Sequence, residues 1–369
     1  MLRRPGPDPP PGQSPPSARN DPMNFASDNT APLAPEILQA LAAANEGAAG
    51  AYGADALTGR LGEALAACFD RPCTFALVAT GTAANGLALA LATPPYGQVL
   101  CHEASHITLE EGGAPEFYTG GAKLSGVAGE AGKLTTEGLQ GALDAHPPLP
   151  PHVMPRSLLS LTQATELGTV YAREEIAALC QWAKGRGLKT HMDGARFANA
   201  VAAAGEPPAA LTWQAGIDML SFGATKNGAM AAELLVVFDE SLAESLRIRQ
   251  KRAGHLWSKQ RYLAAQLLAY LENDLWLGLA GHANAQAQRL SEGLSALPGV
   301  HLEAPTQANA VFVHLPTAMQ DALREAGAIF YPWHAPGLAP SETRVRLVTH
   351  HAAPQEDVAR FLAVAEAAA

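Results

Sequence analysis

The sequence predicts an α/β fold: a mostly parallel sheet covered by helices on both faces, followed by a smaller α+β C-terminal domain. Three observations predict it. Short apolar runs, such as Ser157–Leu161, Leu188–Met192 and Met219–Phe222, alternate with segments of helical period. The chain has 369 residues, 48% hydrophobic and 16% charged, which is ample for a large core and for two domains. After Phe238 the alternation gives way to long helical stretches. The expected organisation is a proline-rich leader over 1–22, a large domain over 23–255, and a linker helix with a small domain over 256–369.

In chain order, MLRRPGPDPPPGQSPPSARN lacks apolar periodicity and is expected to be disordered or polyproline-like. Met23 directly precedes the first patterned sequence and is a candidate natural start. Pro35 suits the first turn of a helix carrying Ile37, Leu38 and Leu41. Thr58 is the expected cap of the helix carrying Leu61, Leu65 and Phe69. Phe75–Ala79 reads as a strand, followed by Thr80-Gly81-Thr82 and an alanine-rich helix. That joint is either an anion site, where free N–H groups and the helix dipole converge, or a plain joint capped by Thr82. No Walker GK[ST] and no GxGxxG is present.

Val99–Cys101 reads as a strand, with His102 and His106 beyond it. A ring at His106 could stack on a flat cofactor. Lys123–Leu134 reads as a loop or hairpin, and the next helix is capped by Thr135 or Thr136. A proline-rich connection, Pro147–Pro155, carries His152. Ser241–Glu272 reads as helical throughout, with the basic stretch RIRQKRAGHLWSKQR. Such a stretch is a solvated face, or in a dimer it could bring Lys259 or Arg261 to a neighbour's phosphate. In the small domain Arg344 and Arg346 alternate with Val345 and Leu347, so one arginine on a buried face needs an anionic partner.

The formal net charge of -10 argues against nucleic acid or an anionic membrane as the main partner. None of Cys68, Cys73, Cys101 and Cys180 forms a close metal-binding pair, and a disulfide framework does not suit so large a chain. The cysteines are expected to be reduced and mostly buried, and the protein cytoplasmic. No apolar run is long enough to span a membrane.

The chemistry concentrates between His191 and Gly228, in HMDGARFANA and DMLSFGATKNG. Asp193 closes an apolar run, Arg196 follows, and Thr225-Lys226 ends a second run. These four suit a pyridoxal phosphate (PLP) site. The lysine amine can form a Schiff base with the cofactor aldehyde, the aspartate can keep the pyridine nitrogen protonated, and the arginine can fork a carboxylate. Lysines and Asp-Gly pairs near strand ends are common in plain turns. Convergence matters more: Gly81-Thr82, His106, Asp193 and Lys226 all fall at strand ends, where α/β sheets bind ligands.

Read together and in order, the motifs FASDNT, AYGADALTGR, ATGTAANGLAL, HITLEEGGAPEF, LTQATELGTVY, HMDGARFANA, SFGATKNG and VRLVTH resemble the low-specificity L-threonine aldolases. The similarity runs from about Phe25 to the C-terminus. The TQATE-G-VY form is similar to the bacterial branch that includes phenylserine aldolases. The resemblance implies the aspartate aminotransferase-like PLP fold, fold type I, and retro-aldol cleavage of β-hydroxy-α-amino acids to glycine and an aldehyde. It implies Lys226 as the Schiff-base lysine, Asp193 at the pyridinium nitrogen, Gly81 and Thr82 on the phosphate, and His106 on the ring. It implies Arg196 and Arg346 on the substrate carboxylate with Ser27 assisting, and His152 as a second active-site histidine. Tyr52 would reach a neighbouring subunit's site in a homodimer or homotetramer with shared active sites. Where some relatives place a phosphate-binding arginine this chain has Ser258-Lys259, so Lys259 takes that expectation. The base for the β-hydroxyl is His106 or His152, and no metal is required. Other PLP reactions on the same fold, such as β-elimination, racemisation or transamination, use the same cofactor residues and stand as the alternative.

Overall fold

The computed structural model describes residues 22–147, 149–333 and 342–369, so all but the last residue of the expected leader lies outside the described residues. Strand β1 (Met23–Asn24) opens them, followed by helices α1 (Pro35–Ala43) and α2 (Ala56–Cys68). Pro35 occupies the first turn of α1, where its missing N–H costs nothing. The cap of α2 is Asp55, not Thr58. Asp55 has extended backbone and its carboxylate accepts Thr58 N at 2.9 Å, whereas Thr58 already lies inside the first turn.

The central sheet is built from β2 (Thr74–Val78), β3 (Gln98–His102), β4 (Lys123–Val127), β5 (Arg156–Thr162), β6 (Lys189–Gly194), β7 (Met219–Gly223) and β8 (Glu233–Val237), in the order β2-β8-β7-β6-β5-β3-β4. Six strands point one way; β8 alone runs against both neighbours. The carboxyl ends of six strands and the start of β8 therefore share one edge.

Between these strands come α3 (Gly81–Ala92), α4 (His106–Leu109), α5 (Ala114–Thr119), α6 (Thr136–Ala145), α7 (Arg173–Lys184) and α8 (Phe197–Ala204). The alanine richness of α3 has a packing cause. Residues 83–90 are all buried, and a Cβ on Gly86 would lie 2.8 Å from the Tyr118 ring of α5. Lys123–Val127 is an edge strand, not the expected loop. Only Val127 is buried, and Lys123 and Gly126 are exposed, so it lacks the continuous apolar run that marks an inner strand.

After β8, the expected single helix over Ser241–Glu272 is broken. Helix α9 (Leu246–Arg252) ends before Gly254, whose φ of +77° no α-helix can absorb, and α10 (Arg261–Leu271) starts afresh. Helix α11 (Leu275–Ser295) leads to β9 (His301–Leu302), β10 (Ala310–Pro316), α12 (Thr317–Glu325), β11 (Ala328–Ile329), β12 (Tyr331–Pro332), β13 (Glu342–Val348) and α13 (Gln355–Ala367). A small antiparallel sheet of order β12-β13-β10-β9 results, while β1 pairs with β11. Packing crosses the expected boundary at 255/256. Leu263, Leu267, Tyr270 and Trp276 join the large core, whereas Met23 and Phe25 join the small one with Leu290, Val311 and Phe361. All four cysteines are free; Cys101 and Cys180 are buried, Cys68 and Cys73 partly so. No helix among the described residues is long and apolar enough to cross a membrane.

Close backbone contact fixes the ends of β6 and β7. A Cβ on Gly223 would lie 2.6 Å from the Ala195 carbonyl oxygen, with Ala195 C and Cα at 2.9 Å. Gly223→Ala is expected to cost about 1–3 kcal/mol as overpacking. Gly141, inside α6, meets nothing within 4 Å, so Gly141→Ala is expected to gain about 0.5–1 kcal/mol. Thermal unfolding of both variants checks the opposite signs.

Candidate active site

At the shared edge lies a cavity of about 340 Å³ that brings together Gly81, Thr82, His106, Asp193, Arg196, Thr225 and Lys226. Gly81 and Thr82 open α3. The cap there is Thr80, which is extended and accepts Ala83 N at 3.2 Å; Thr82 is not the cap. The main-chain N–H groups of Gly81 and Thr82 have no acceptor among the described residues, as expected for a helix start. A Cβ on Gly81 would meet only the Glu233 carboxylate, at 3.9 Å, so the approach to these donors is open.

Asp193 is buried at the carboxyl end of β6. Its Oδ1 accepts Ala195 N at 3.0 Å and its Oδ2 accepts Asn85 Nδ2 at 2.8 Å. The same Asn85 nitrogen donates to Glu111 Oε1 at 2.8 Å, and that oxygen lies 2.8 Å from His106 Nδ1. A chain of polar contacts thus ties the His106 ring to Asp193. The hydrogen bond to Glu111, outweighing burial, raises the pKa of His106 above the ordinary histidine value.

Lys226 lies just beyond β7 in a short 3-10 turn. The charge of Arg196, followed by burial, lowers its pKa below the ordinary lysine value. Arg196 is itself held. Its Nε donates to Asp28 Oδ2 at 2.7 Å and its Nη2 to Asp28 Oδ1 at 3.0 Å, and Asn309 Nδ2 also donates to Asp28 at 3.1 Å. Burial pushes the Asp28 carboxyl up, but Arg196, Lys226 and the hydrogen bonds outweigh it and hold the pKa below the ordinary carboxylate range. The expectation that Arg196 offers its whole fork to a substrate therefore needs correction. Two of its three nitrogens are committed to Asp28, and Nη1 remains.

Arg344 and Arg346, two apart and so on one face of β13, meet different surroundings. Arg344 meets Glu303 at 2.5 Å, and Arg346 feels the charges of Arg196 and Asp28. The Arg346 guanidinium lies 5.0 Å from the Trp333 ring centroid, and its Nε has no partner among the described residues. Ser27 caps the turn over Asp28–Thr30 by accepting Asn29 N at 3.1 Å; Asn29, not Ser27, lines the cavity.

Three expected site residues lie elsewhere in this chain. His152 is exposed and precedes β5, at the opposite end of the strand from the cavity. Seven residues of strand span roughly 20 Å, so His152 is no partner for His106 within the chain. It lines a separate hollow with Gln98 and Lys123. Tyr52 and Lys259 are exposed, and neither lines the cavity. They are close to each other: Tyr52 N donates to Ser258 O at 3.0 Å, and Lys251 Nζ lies 5.1 Å from the Tyr52 ring.

The structure adds Asn85, Glu111, Glu166 and Glu233, none of which the sequence singled out. Glu166 Oε1 accepts His106 N at 2.9 Å and the Thr162 hydroxyl at 2.8 Å. Glu233 Oε1 accepts Thr225 N at 3.1 Å. Burial, as the largest cause, pushes each of these carboxyls up to about 7.

The donor set fits PLP: open N–H groups at a helix start for a phosphate, a buried lysine of lowered pKa for an aldehyde, and a buried carboxylate anchored by two N–H donors for a ring nitrogen. Comparison with known proteins agrees. Residues 24–317 match the model of the beta-eliminating lyase family. A low-specificity L-threonine aldolase from Pseudomonas aeruginosa is 43% identical over 319 residues, covering 85% of this chain and 90% of that protein. A threonine aldolase structure from Leishmania major superimposes with a TM-score of 0.88 at 27% identity, covering 94% of this chain and 99% of that one. For the fold alone, a putative histidinol-phosphate aminotransferase from Erwinia carotovora atroseptica gives 0.66 at 18% identity, covering 93% and 95% of the two chains. With this cavity, these relatives and the fold type I sheet in agreement, the chain belongs to the beta-eliminating lyase family as one of its PLP-dependent threonine aldolases.

Proposed function

We propose that the cavity cleaves L-threonine, L-allo-threonine and related β-hydroxy-α-amino acids, phenylserine among them, to glycine and the matching aldehyde. The observation that carries this reading is Lys226, a buried amine lowered by Arg196, on the strand edge that also holds Asp193 and the open start of α3. The volume of about 340 Å³ suits a cofactor with a small amino acid.

Bound PLP supplies an electron sink for the pair released when the Cα–Cβ bond breaks. The chain's own residues do the rest. Lys226, its pKa lowered by Arg196 and burial, would present its amine to the aldehyde. Asp193, held by Ala195 N and Asn85, keeps a proton on the pyridine nitrogen. The N–H groups of Gly81 and Thr82, with the α3 dipole, receive the phosphate beside the Thr225 hydroxyl. His106, steered by Glu111, offers its imidazole to the ring face. Arg346 takes the substrate carboxylate, with Arg196 Nη1 beside it, because two cations at that end fix which Cα bond stands over the ring.

The reading extends to assembly and location. Dimers or tetramers complete each site with the neighbour's Tyr52–Lys259 patch, which is exposed and unused in its own chain. Four free thiols suit the cytoplasm, where they stay reduced, and cell fractionation tests that placement.

Product analysis with L-threonine, L-allo-threonine and L-phenylserine is expected to give glycine and the aldehyde for wild type and neither for Lys226→Ala. Pyruvate or 2-oxobutyrate from a yellow protein would move the assignment to β-elimination. Arg346→Ala is expected to lower kcat/KM by about 10- to 100-fold, or 1.5–3 kcal/mol for one charge-assisted contact, without loss of colour. Mixing Lys226→Ala with Tyr52→Ala chains is expected to restore activity that neither has alone. Its failure to do so, with assembly shown by light scattering, would refute the shared site.

A further inference from the structure

Glu166 is a cavity carboxyl that the assignments above leave without a task. It follows β5 in the turn after Thr162 and lies on the cavity wall. Two donors from different elements, His106 N and the Thr162 hydroxyl, both reach its Oε1. Its Oε2 is buried and has no partner among the described residues. A buried carboxyl oxygen without a donor carries a desolvation cost that a proton, a water or a ligand hydroxyl relieves.

Aldol cleavage needs a group to take the β-hydroxyl proton, and this inference rests on that reading of the site. The other titratable side chains of the cavity are occupied. Asp193 receives Asn85 and Ala195 N, and Glu111 sits enclosed behind the His106 ring. Glu233 receives Thr225 N at the phosphate end, and Lys226 serves the aldehyde. Arg196 is paired with Asp28. His106 and Glu166 remain. Glu111 holds His106 Nδ1, and the His106 ring is already assigned to the cofactor face. Burial pushes Glu166 up to about 7, a basicity matched to neutral pH. The groups facing it are His106 of α4, Asp193 of β6, Arg196 ahead of α8, and Tyr171 across its own loop.

We propose that Glu166 is the general base of the cleavage, taking the substrate's β-hydroxyl proton as the Cα–Cβ bond breaks. The O–H bond pair becomes the second bond of the aldehyde C=O, and the Cα–Cβ pair passes to the cofactor ring. Cα later gains a proton in place of the one Glu166 took, so glycine and aldehyde together hold every atom of the substrate.

The test compares holoenzyme of wild type, Glu166→Gln and Glu166→Asp in two reactions. One is cleavage of L-threonine; the other is exchange of the glycine Cα–H with deuterated water, followed by NMR, which involves no hydroxyl. Glu166→Gln is expected to stay yellow, keep glycine exchange within roughly threefold, and lose about 10²–10⁴-fold in kcat for cleavage with little change in KM. Glu166→Asp is expected to recover part of that loss, and it carries the same comparison if the glutamine variant fails to hold cofactor. The wild-type fall in kcat on the acid side of neutrality is expected to vanish in Glu166→Gln. Cleavage by Glu166→Gln within roughly threefold of wild type would overturn the proposal. So would an equal loss of cleavage and exchange, which marks a structural role. If wild type itself releases no aldehyde, the aldolase reading fails instead, and glycine exchange still reports on Glu166 separately.

Discussion

A single buried carboxylate, Asp28, holds the joint on which the site depends. It lies between strand β1, which packs with the small core, and helix α1, which packs with the large one. From the large domain it receives one edge of the Arg196 fork, Nε and Nη2; from the far side it receives Asn309. Removing one partner of such a pair leaves the other charge buried, at roughly 3–5 kcal/mol. The pair also sets the electrostatics of Lys226. Arg196 alone would depress the amine further, and Asp28 partly restores it. The position of the guanidinium and the basicity of the lysine thus come from one contact.

In the proposed function the two packing units take opposite ends of the ligand. The large sheet supplies the helix start, the carboxylate and the lysine, all for the cofactor. The small sheet carries Arg346, beside Trp333 and Tyr331, which the proposed function assigns to the substrate's charged end. Anything that tilts one unit on the other changes the angle between cofactor and carboxylate. In the proposed function that angle selects the Cα bond that breaks, and Asp28, which bonds both Arg196 and Asn309, ties the two units together.

Much of this was legible in the sequence, for a clear reason. Parallel inner strands are short apolar runs, so their carboxyl ends can be read from where the run stops, and Gly81, His106, Asp193 and Lys226 stood at such stops. What stayed hidden lacked that signal. Glu233 sits at the beginning of a strand, and only the reversal of β8 brings it to the active edge. Asn85 looks like one polar residue in a helix until the helix is found buried on every side. Asp28 meets Arg196 across most of the large domain's sequence, beyond the reach of any periodicity. Glu166 lay inside a recognised motif, but a glutamate in a polar turn is ordinarily solvated. His152, on the loop leading into β5, lies at the other end of that strand from the cavity within its own chain.

The lone reversed strand has a consequence for how the molecule is assembled. Strand β2 reaches the sheet only through β8, with Thr74 facing Val237. Its neighbours in sequence, β3 and β4, sit at the far side of the sheet. During synthesis, β3 to β7 can pair in turn as they emerge, whereas β2 and the helix start that follows it must wait for residue 237. Such long-range pairings are slow to form and leave strand edges open in the interval. The phosphate end of the cavity is therefore the last part of the large sheet to close, and a chain with a finished β5–β6–β7 core still lacks the means to hold its cofactor.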